Sequence, residues 1–268
     1  QFAHLDLRHL GEEKIMERLP FVRELATTYV EVDPVHEPIP IRPVLHYMMG
    51  GVETDNDGAT TLDGLYAAGE VASVSINGAN RLGSNSLTEC LVFGARAGES
   101  AARFAAGASE GEERPLVAQA EEERGRIEAL RGRRGEEKLA DLRRELNLTM
   151  EAGTGVYREQ ASMQKAVENV AEIKRRFERV AVDDASKVFN TELVAALELR
   201  SMIDVAEAVS LAAVNRKESR GAHACKDHPT RNDQDYLHHG VVFWSPEGPR
   251  YEKKEVRMGI WEPEERKY

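Results

Sequence analysis

Short apolar stretches open the chain and longer helical stripes close it. Around residues 1–7, Phe2 and the run His4 to Leu7 predict a brief strand. An amphipathic helix then begins near Gly11, with Ile15, Met16, Leu19 and Val22 on one side. Pro34, Pro38, Pro40 and Pro43 follow at close intervals, where helix is disfavoured and an extended crossing between domains is expected.

Residues 44–69 read as short strands and turns. Asn56-Asp-Gly58 signals a tight turn. The run Leu62-Asp-Gly-Leu-Tyr-Ala-Ala-Gly69 has the look of a buried strand ending in glycine. A helix starts at Ser86, with Leu87, Leu91 and Val92 as an apolar stripe. Small residues follow (Gly94, Ala95, Ala97, Gly98, Ala101, Ala102), suited to close packing against a sheet or a ligand.

After a polar linker at 107–115, helical spacing returns over 116–130, 136–150, 158–179 and 190–217. The last is the clearest: Leu193, Leu197, Met202, Val205, Ala206, Val209, Ala212 and Ala213 recur at helical intervals. Alternating Glu and Arg on the first three predict solvated faces. Residues 218–268 are irregular, rich in aromatics and prolines, and predict a small strand-containing lobe, with Trp244 and Trp261 as packing residues. There is no internal repeat.

Composition narrows the function. The chain has 268 residues, 41% hydrophobic, and a net charge of −11. That length allows one large domain or two smaller ones. So acidic a chain argues against a nucleic-acid binder, which would usually show a basic face. Most of the surplus acid lies after residue 108, so an anionic small molecule can still find a local cationic site earlier on. Cys90 and Cys225 have no metal-ligand spacing and read as two buried thiols in a reducing compartment. His228, His238 and His239 have no carboxylate or cysteine at useful spacing, and we assign no metal. No apolar run is long enough to span a bilayer, and no signal-peptide pattern opens the chain. The chain begins at Gln1 rather than Met and reads as a piece of something longer.

The chemistry concentrates between residues 46 and 87. In His46-Tyr-Met-Met-Gly-Gly51 the paired glycines predict a close backbone approach to something flat or charged. Gly64-Leu-Tyr-Ala-Ala-Gly69-Glu70 ends in a carboxylate that could meet a ribose or ribityl hydroxyl. Ile76-Asn-Gly-Ala-Asn-Arg81-Leu-Gly-Ser-Asn-Ser86-Leu87 is a Gly/Asn/Ser loop running into a helix start, where unpaired amides and the helix dipole favour anions. Arg81 in that loop could grip a carboxylate through two parallel hydrogen bonds.

Taken together, HYMMGG, GLYAAGE and NGANRLGSNSL resemble the flavoprotein subunit of succinate dehydrogenase and fumarate reductase. The likeness continues through Phe189-Asn190-Thr191, Glu218-Ser-Arg-Gly-Ala-His223 and the ending Glu262 to Tyr268, and so covers essentially the whole chain. The resemblance implies an FAD enzyme interconverting succinate and fumarate. It implies that His46 and Arg81 bind the substrate carboxylates, and that Glu70, Ser86 and Leu87 bind FAD. The implied fold is α+β: the end of a capping domain (1–33), the C-terminal part of a Rossmann-like FAD-binding domain (34–106), a helical bundle domain (107–217) and a small irregular lobe (218–268). The implied partners are an iron–sulfur subunit and a membrane anchor, which would hold the protein peripherally at the cytoplasmic face of the cell membrane.

Other parts of that family's pattern are not in this sequence. There is no G-x-G-x-x-G after a strand; Gly153-Thr-Gly155-Val-Tyr-Arg158 follows a helix and ends in Arg, so we reject it. The resemblance puts the histidine that carries covalent flavin, and the arginine that shuttles protons, before Gln1. The chain alone is therefore expected neither to hold FAD tightly nor to turn over succinate. Arg220 and His223 read as structural. Two rival readings stand beside this one. L-aspartate oxidase, also FAD-dependent, shares the GANR, NSL and ESRG-type segments, although the two methionines after Tyr47 and the EPEERKY ending fit the dehydrogenase better. Alternatively, residues 116–217 could serve as a helical subunit-interaction module.

Overall fold

The structure is a computed structural model that describes residues 3–109, 111 and 113–260. Phe2, Trp261 and the 262–268 ending lie outside the described residues. The chain divides into two compact units, residues 1–45 and 46–268.

In the first unit, β1 (Ala3–Leu5) pairs antiparallel with β2 (Ile39–Ile41), so the chain folds back on its own start. Between them lie α1 (Gly11–Arg18) and α2 (Pro20–Val30). The single helix expected here is two. Pro20 takes the first position of α2, where its missing N–H costs nothing, and Leu19 leaves helical geometry at φ −133°. Ile15 is buried, but Met16 of the same expected stripe is exposed. Arg23 ties the unit together, with Nη2 donating to Asp33 at 2.7 Å and Nη1 to Glu12 at 3.1 Å.

The second unit opens with a parallel pair, β3 (Val52–Glu53) with β4 (Ala72–Ser73). Gly51 is needed for that pairing. A Cβ there would lie 2.3 Å from the Val71 carbonyl oxygen, so Gly51 makes its close approach to the protein's own backbone, whereas a Cβ on Gly50 would meet nothing within 4 Å among the described residues. The Asn56–Gly58 turn forms as expected, with the Asp55 carboxylate accepting from the amides of Asp57 and Ala59, both at 2.9 Å.

The segment 62–69 is not a buried strand. It makes one isolated bridge, Ala59 to Tyr66, and Leu62 and Leu65 are exposed. Gly69, at φ +78°, then enters a 3-10 turn over Gly69–Val71. An apolar run predicts burial only if a partner layer is available; this one pairs with residues 58–60 and meets α3 (Asn85–Gly107). There Tyr66 meets Phe104 edge-on at 6.3 Å. Gly58 sits where a Cβ would lie 2.5 Å from that of Ala97, so at least one of the small residues of α3 permits close packing, while Gly94 and Gly98 face open space. The Leu87, Leu91 and Val92 stripe is exposed, as is Cys90 on the same part of the helix; Cys225 is buried as expected.

The main core is a three-helix bundle. After α4 (Glu113–Arg131) come β5 (Glu137–Lys138), α5 (Leu139–Thr154), β6 (Tyr157–Arg158), α6 (Gln160–Phe177), β7 (Val180–Ala181) and α7 (Thr191–Val214). These helices match the four expected spans closely. Leu142 and Leu146 of α5, Val170, Ile173 and Phe177 of α6, and Ala196, Leu199 and Ile203 of α7 form one cluster. The stripe buried on α7 is not the one its sequence suggested. Ala196, Leu199, Ile203, Ala206, Ser210 and Ala213 are buried, and Val205 is exposed. The helix is apolar on most sides, so periodicity alone does not choose a face; packing on α5 and α6 does. Helix α4 is solvated as expected. Leu130 is its buried residue, and Glu121–Arg124, Glu123–Arg126 and Glu128–Arg131 pair along its surface.

Two short parallel pairs brace the bundle, β5 with β7 and β6 with β8 (Ala224–Cys225). The final lobe adds a single turn, α8 (Asp233–Tyr236), and the antiparallel hairpin of β9 (His238–Phe243) and β10 (Arg250–Glu255). Trp244, expected to pack, is mostly exposed. Among the described residues, no helix is long and apolar enough to cross a membrane.

Candidate functional site

The three sequence motifs converge within the second unit. The guanidinium carbon of Arg81 lies 4.8 Å from the centroid of the Tyr47 ring, a cation–π contact that sets the arginine beside the residue following His46. Arg81 donates through Nη1 to the carbonyl of Leu82 at 3.2 Å, but its Nε–H is buried with no acceptor among the described residues. A buried guanidinium donor left open costs free energy unless something fills it.

Glu70 is exposed at the edge of the same region. Its Oε1 accepts the amide of Met48 at 3.0 Å, so the GLYAAGE and HYMMGG motifs are joined directly. The second carboxylate oxygen is still available as an acceptor. His46 is exposed, with its side chain at the surface.

Helix α3 starts at Asn85, one residue before the expected Ser86, and Ser84 ahead of it adopts left-handed geometry at φ +67° and makes no side-chain cap. Ser86 and Leu87 therefore stand at the second and third positions of the helix, whose N–H groups a capping side chain would normally satisfy. The side chain of Leu87 is exposed. This geometry suits an anion, or a carbonyl that gains negative charge, at the helix start.

Three residues that sequence reasoning passed over hold the site together. Glu89 is buried at 2% exposure. Its Oε2 accepts from Tyr47 Oη at 2.9 Å and from Asn77 Nδ2 at 2.8 Å. Burial, and then the hydrogen bond to Glu89, push the Tyr47 phenol up to about 12. The available signal was a carboxylate set between Leu87 and Leu91 on an otherwise apolar stretch of helix.

The loop bearing Arg81 is also backed by the last lobe. The Ala222 amide donates to the Ala79 carbonyl at 2.9 Å, and His239 Nε2 lies 2.9 Å from Ser75 Oγ. That lobe is anchored on Glu218, which is fully buried. Burial pushes its carboxyl up, but hydrogen bonds from Arg220, the Asn232 amide and Arg216 outweigh this and hold it below the ordinary carboxylate range. His223 is buried too. Its Nδ1 accepts from Arg158 at 2.7 Å and its Nε2 donates to the Arg216 carbonyl at 3.0 Å. Burial, then the Arg158 charge, drive its pKa down to about 4. Arg220 and His223 thus do the structural work expected of them.

The chain as a whole matches known proteins. The family described as fumarate reductase flavoprotein C-term matches residues 143–268, and the FAD binding domain family matches residues 1–87. The fumarate reductase flavoprotein subunit of Haemophilus influenzae is 48% identical over 99% of this chain and 45% of its own length. The chain belongs to the flavoprotein family of fumarate reductase and succinate dehydrogenase. Within that family, the succinate dehydrogenase flavoprotein subunit of Rickettsia bellii is 39% identical over 88% of the chain and 41% of its own length. A solved E. coli quinol fumarate reductase chain, a single-site mutant, superposes with a TM-score of 0.95 at 47% identity, covering 98% of this chain and 46% of that one. The chain therefore spans a little under half the length of the curated relatives it matches.

Proposed function

We propose that this chain forms the dicarboxylate-facing and flavin-facing part of a site that interconverts succinate and fumarate with FAD. The observation that carries this reading is Arg81, whose guanidinium rests on Tyr47 with a buried Nε–H that has no acceptor among the described residues. A carboxylate supplies that acceptor, taking Nε–H and a neighbouring Nη–H together in a planar, paired contact. His46, next to Tyr47, receives the other carboxylate of a four-carbon diacid.

The same reading assigns the flavin contacts. Glu70 accepts a hydroxyl on the sugar side of the cofactor, and the Ser86 and Leu87 amides stabilise negative charge at the flavin edge. When bound, FAD supplies the hydride exchange that converts one diacid into the other. The protein's part is to fix the diacid in one orientation and to balance its charge. We assign no proton-transfer role to any residue of this chain.

By family likeness we extend three further features to it. Electrons pass from FAD to an iron–sulfur subunit; that subunit docks on a membrane anchor; and the assembly sits peripherally at the cytoplasmic face of the cell membrane. Residues 1–33 serve as the end of a capping domain and 34–106 as part of a Rossmann-like FAD domain, with a helical domain over 107–217 and a small lobe over 218–268. The chain by itself neither holds FAD tightly nor turns over succinate, a reading supported by exposed apolar side chains around the site at Leu82, Leu87 and Leu91.

The test is a chimera in which this chain follows the portion of the E. coli relative that precedes the matched region. It should bind FAD and reduce fumarate with a viologen donor, while this chain alone, titrated with FAD by fluorescence, should show no sub-micromolar binding. Aspartate-dependent peroxide formation without succinate or fumarate activity would transfer the chain to the aspartate oxidase reading.

A further inference from the structure

Glu89 is a buried carboxylate that the reading above does not use. It comes from the second turn of α3 and is 2% exposed. Among the described residues, its two hydrogen bonds fall on one oxygen, Oε2. One comes from Tyr47, in the segment that carries His46; the other comes from Asn77, in the loop that carries Arg81. A single buried oxygen thus knots together the two stretches of chain that bear the proposed substrate-binding residues, and it does so from the helix that offers the Ser86 and Leu87 amides. Burying a carboxylate costs several kcal/mol unless hydrogen bonds compensate, so a side chain needed only to fill space here would be better apolar.

The charge also reaches Arg81. Tyr47 donates its hydroxyl to Glu89, while its ring face lies 4.8 Å from the Arg81 guanidinium carbon. A phenol that donates to an anion gains electron density in its ring, which strengthens its hold on a cation above it. The contact fixes Arg81 while leaving its buried Nε–H open for a ligand.

We propose that Glu89 is a positioning residue for dicarboxylate binding: by holding Tyr47 and Asn77 on one oxygen it fixes the Arg81 guanidinium over Tyr47, the residue that follows His46. The proposal rests on the succinate–fumarate reading, and the test separates the two.

In the FAD-loaded chimera, the probes are malonate affinity and fumarate kinetics. Tyr47→Phe keeps the ring but loses the tie, and Glu89→Gln keeps the shape but loses the charge. Each should weaken malonate binding roughly 5- to 20-fold and raise KM for fumarate similarly, with kcat changed less than threefold, because the loss falls on a binding contact. The double variant should be no worse than the worse single one, since both break one linkage. Glu89→Gln should retain part of the affinity that Glu89→Ala loses. Unchanged malonate affinity in both single variants, while Arg81→Lys abolishes binding, overturns the positioning role and leaves the function reading intact. If Arg81→Lys changes nothing, both fall. The full chain without FAD gives an independent readout. The Arg81 Nε–H resonance in 15N NMR should shift and broaden in Tyr47→Phe and in Glu89→Gln, and an unchanged resonance in both overturns the proposal.

Discussion

Gly221 presses its backbone against Ala79: at φ +56°, a Cβ on residue 221 would lie 2.5 Å from the Ala79 carbonyl oxygen and 2.9 Å from the Ala79 Cβ. The ESRGA turn of the last lobe thus supports the loop that ends in Arg81, although 140 positions of sequence separate Gly221 from Arg81. Gly221→Ala should cost at least about 1–2 kcal/mol from left-handed strain alone, and the backbone contact adds to it. Chemical denaturation measures the loss. The same variant in the chimera should weaken malonate binding, because the loop must move; a variant with wild-type stability would show that the turn yields freely.

The two residues proposed to grip substrate carboxylates should separate kinetically from the flavin contacts. In the chimera, Arg81→Lys retains charge but loses the planar fork, and we expect at least a hundredfold loss of kcat/KM for fumarate, about 3 kcal/mol. His46→Gln should raise KM with FAD content unchanged. Absorbance at the flavin band reports FAD content, and loss of FAD in either variant would reassign that residue to the cofactor.

Stability should fall with acid through His223. Its folded-state pKa is held near 4 by burial and by Arg158, against about 6.5 for an unfolded chain. Between these values the unfolded state binds the extra proton, so stability is fully present above about pH 6.5 and is lost as pH falls towards 4, by about 3 kcal/mol. Urea unfolding from pH 7 to pH 4 gives the slope. His223→Gln should flatten this part of the profile, and a slope the same as wild type would rule out His223 as its source.

Helix α7 offers a contrast between two faces. Leu199 is fully buried in the bundle while Val205 is exposed. Leu199→Ala should cost about 3 kcal/mol, and Val205→Ala less than about 0.5 kcal/mol. Thermal unfolding separates the outcomes; a reversed order would support the face that the sequence pattern suggested.

Asn190 caps that same helix, accepting the Leu193 amide at 2.7 Å, and its amide group donates to the carbonyls of Asp184 and Ser186. Asn190→Ala should destabilise by about 1–2 kcal/mol, and Asn190→Asp should recover the cap but not the two donated bonds. Comparing their melting temperatures tests whether cap or loop anchoring dominates.

Much of this molecule was legible in its residues. The four helices after residue 107 fall close to where periodicity put them, since helical spacing and turn chemistry are local. The motifs that carry His46, Glu70, Arg81, Ser86 and Leu87 were also readable, because each is a short, unusual string of residues. Less legible were the break at Pro20, hidden by an apolar pattern that ran through it, and the fate of residues 62–69, whose apolar content suggested a layer of cover that the described residues do not supply.

The sequence by itself determined the family and the four helices after residue 107, because short motifs and helical spacing depend on neighbours a few positions apart. Only the tertiary structure decided which face of α7 is buried, that Gly51 makes room for a strand contact, and that Glu89 joins Tyr47 to Asn77. Each of these rests on contacts between distant parts of the chain, and such contacts are set by packing and by the need to satisfy buried polar atoms, which no local pattern encodes.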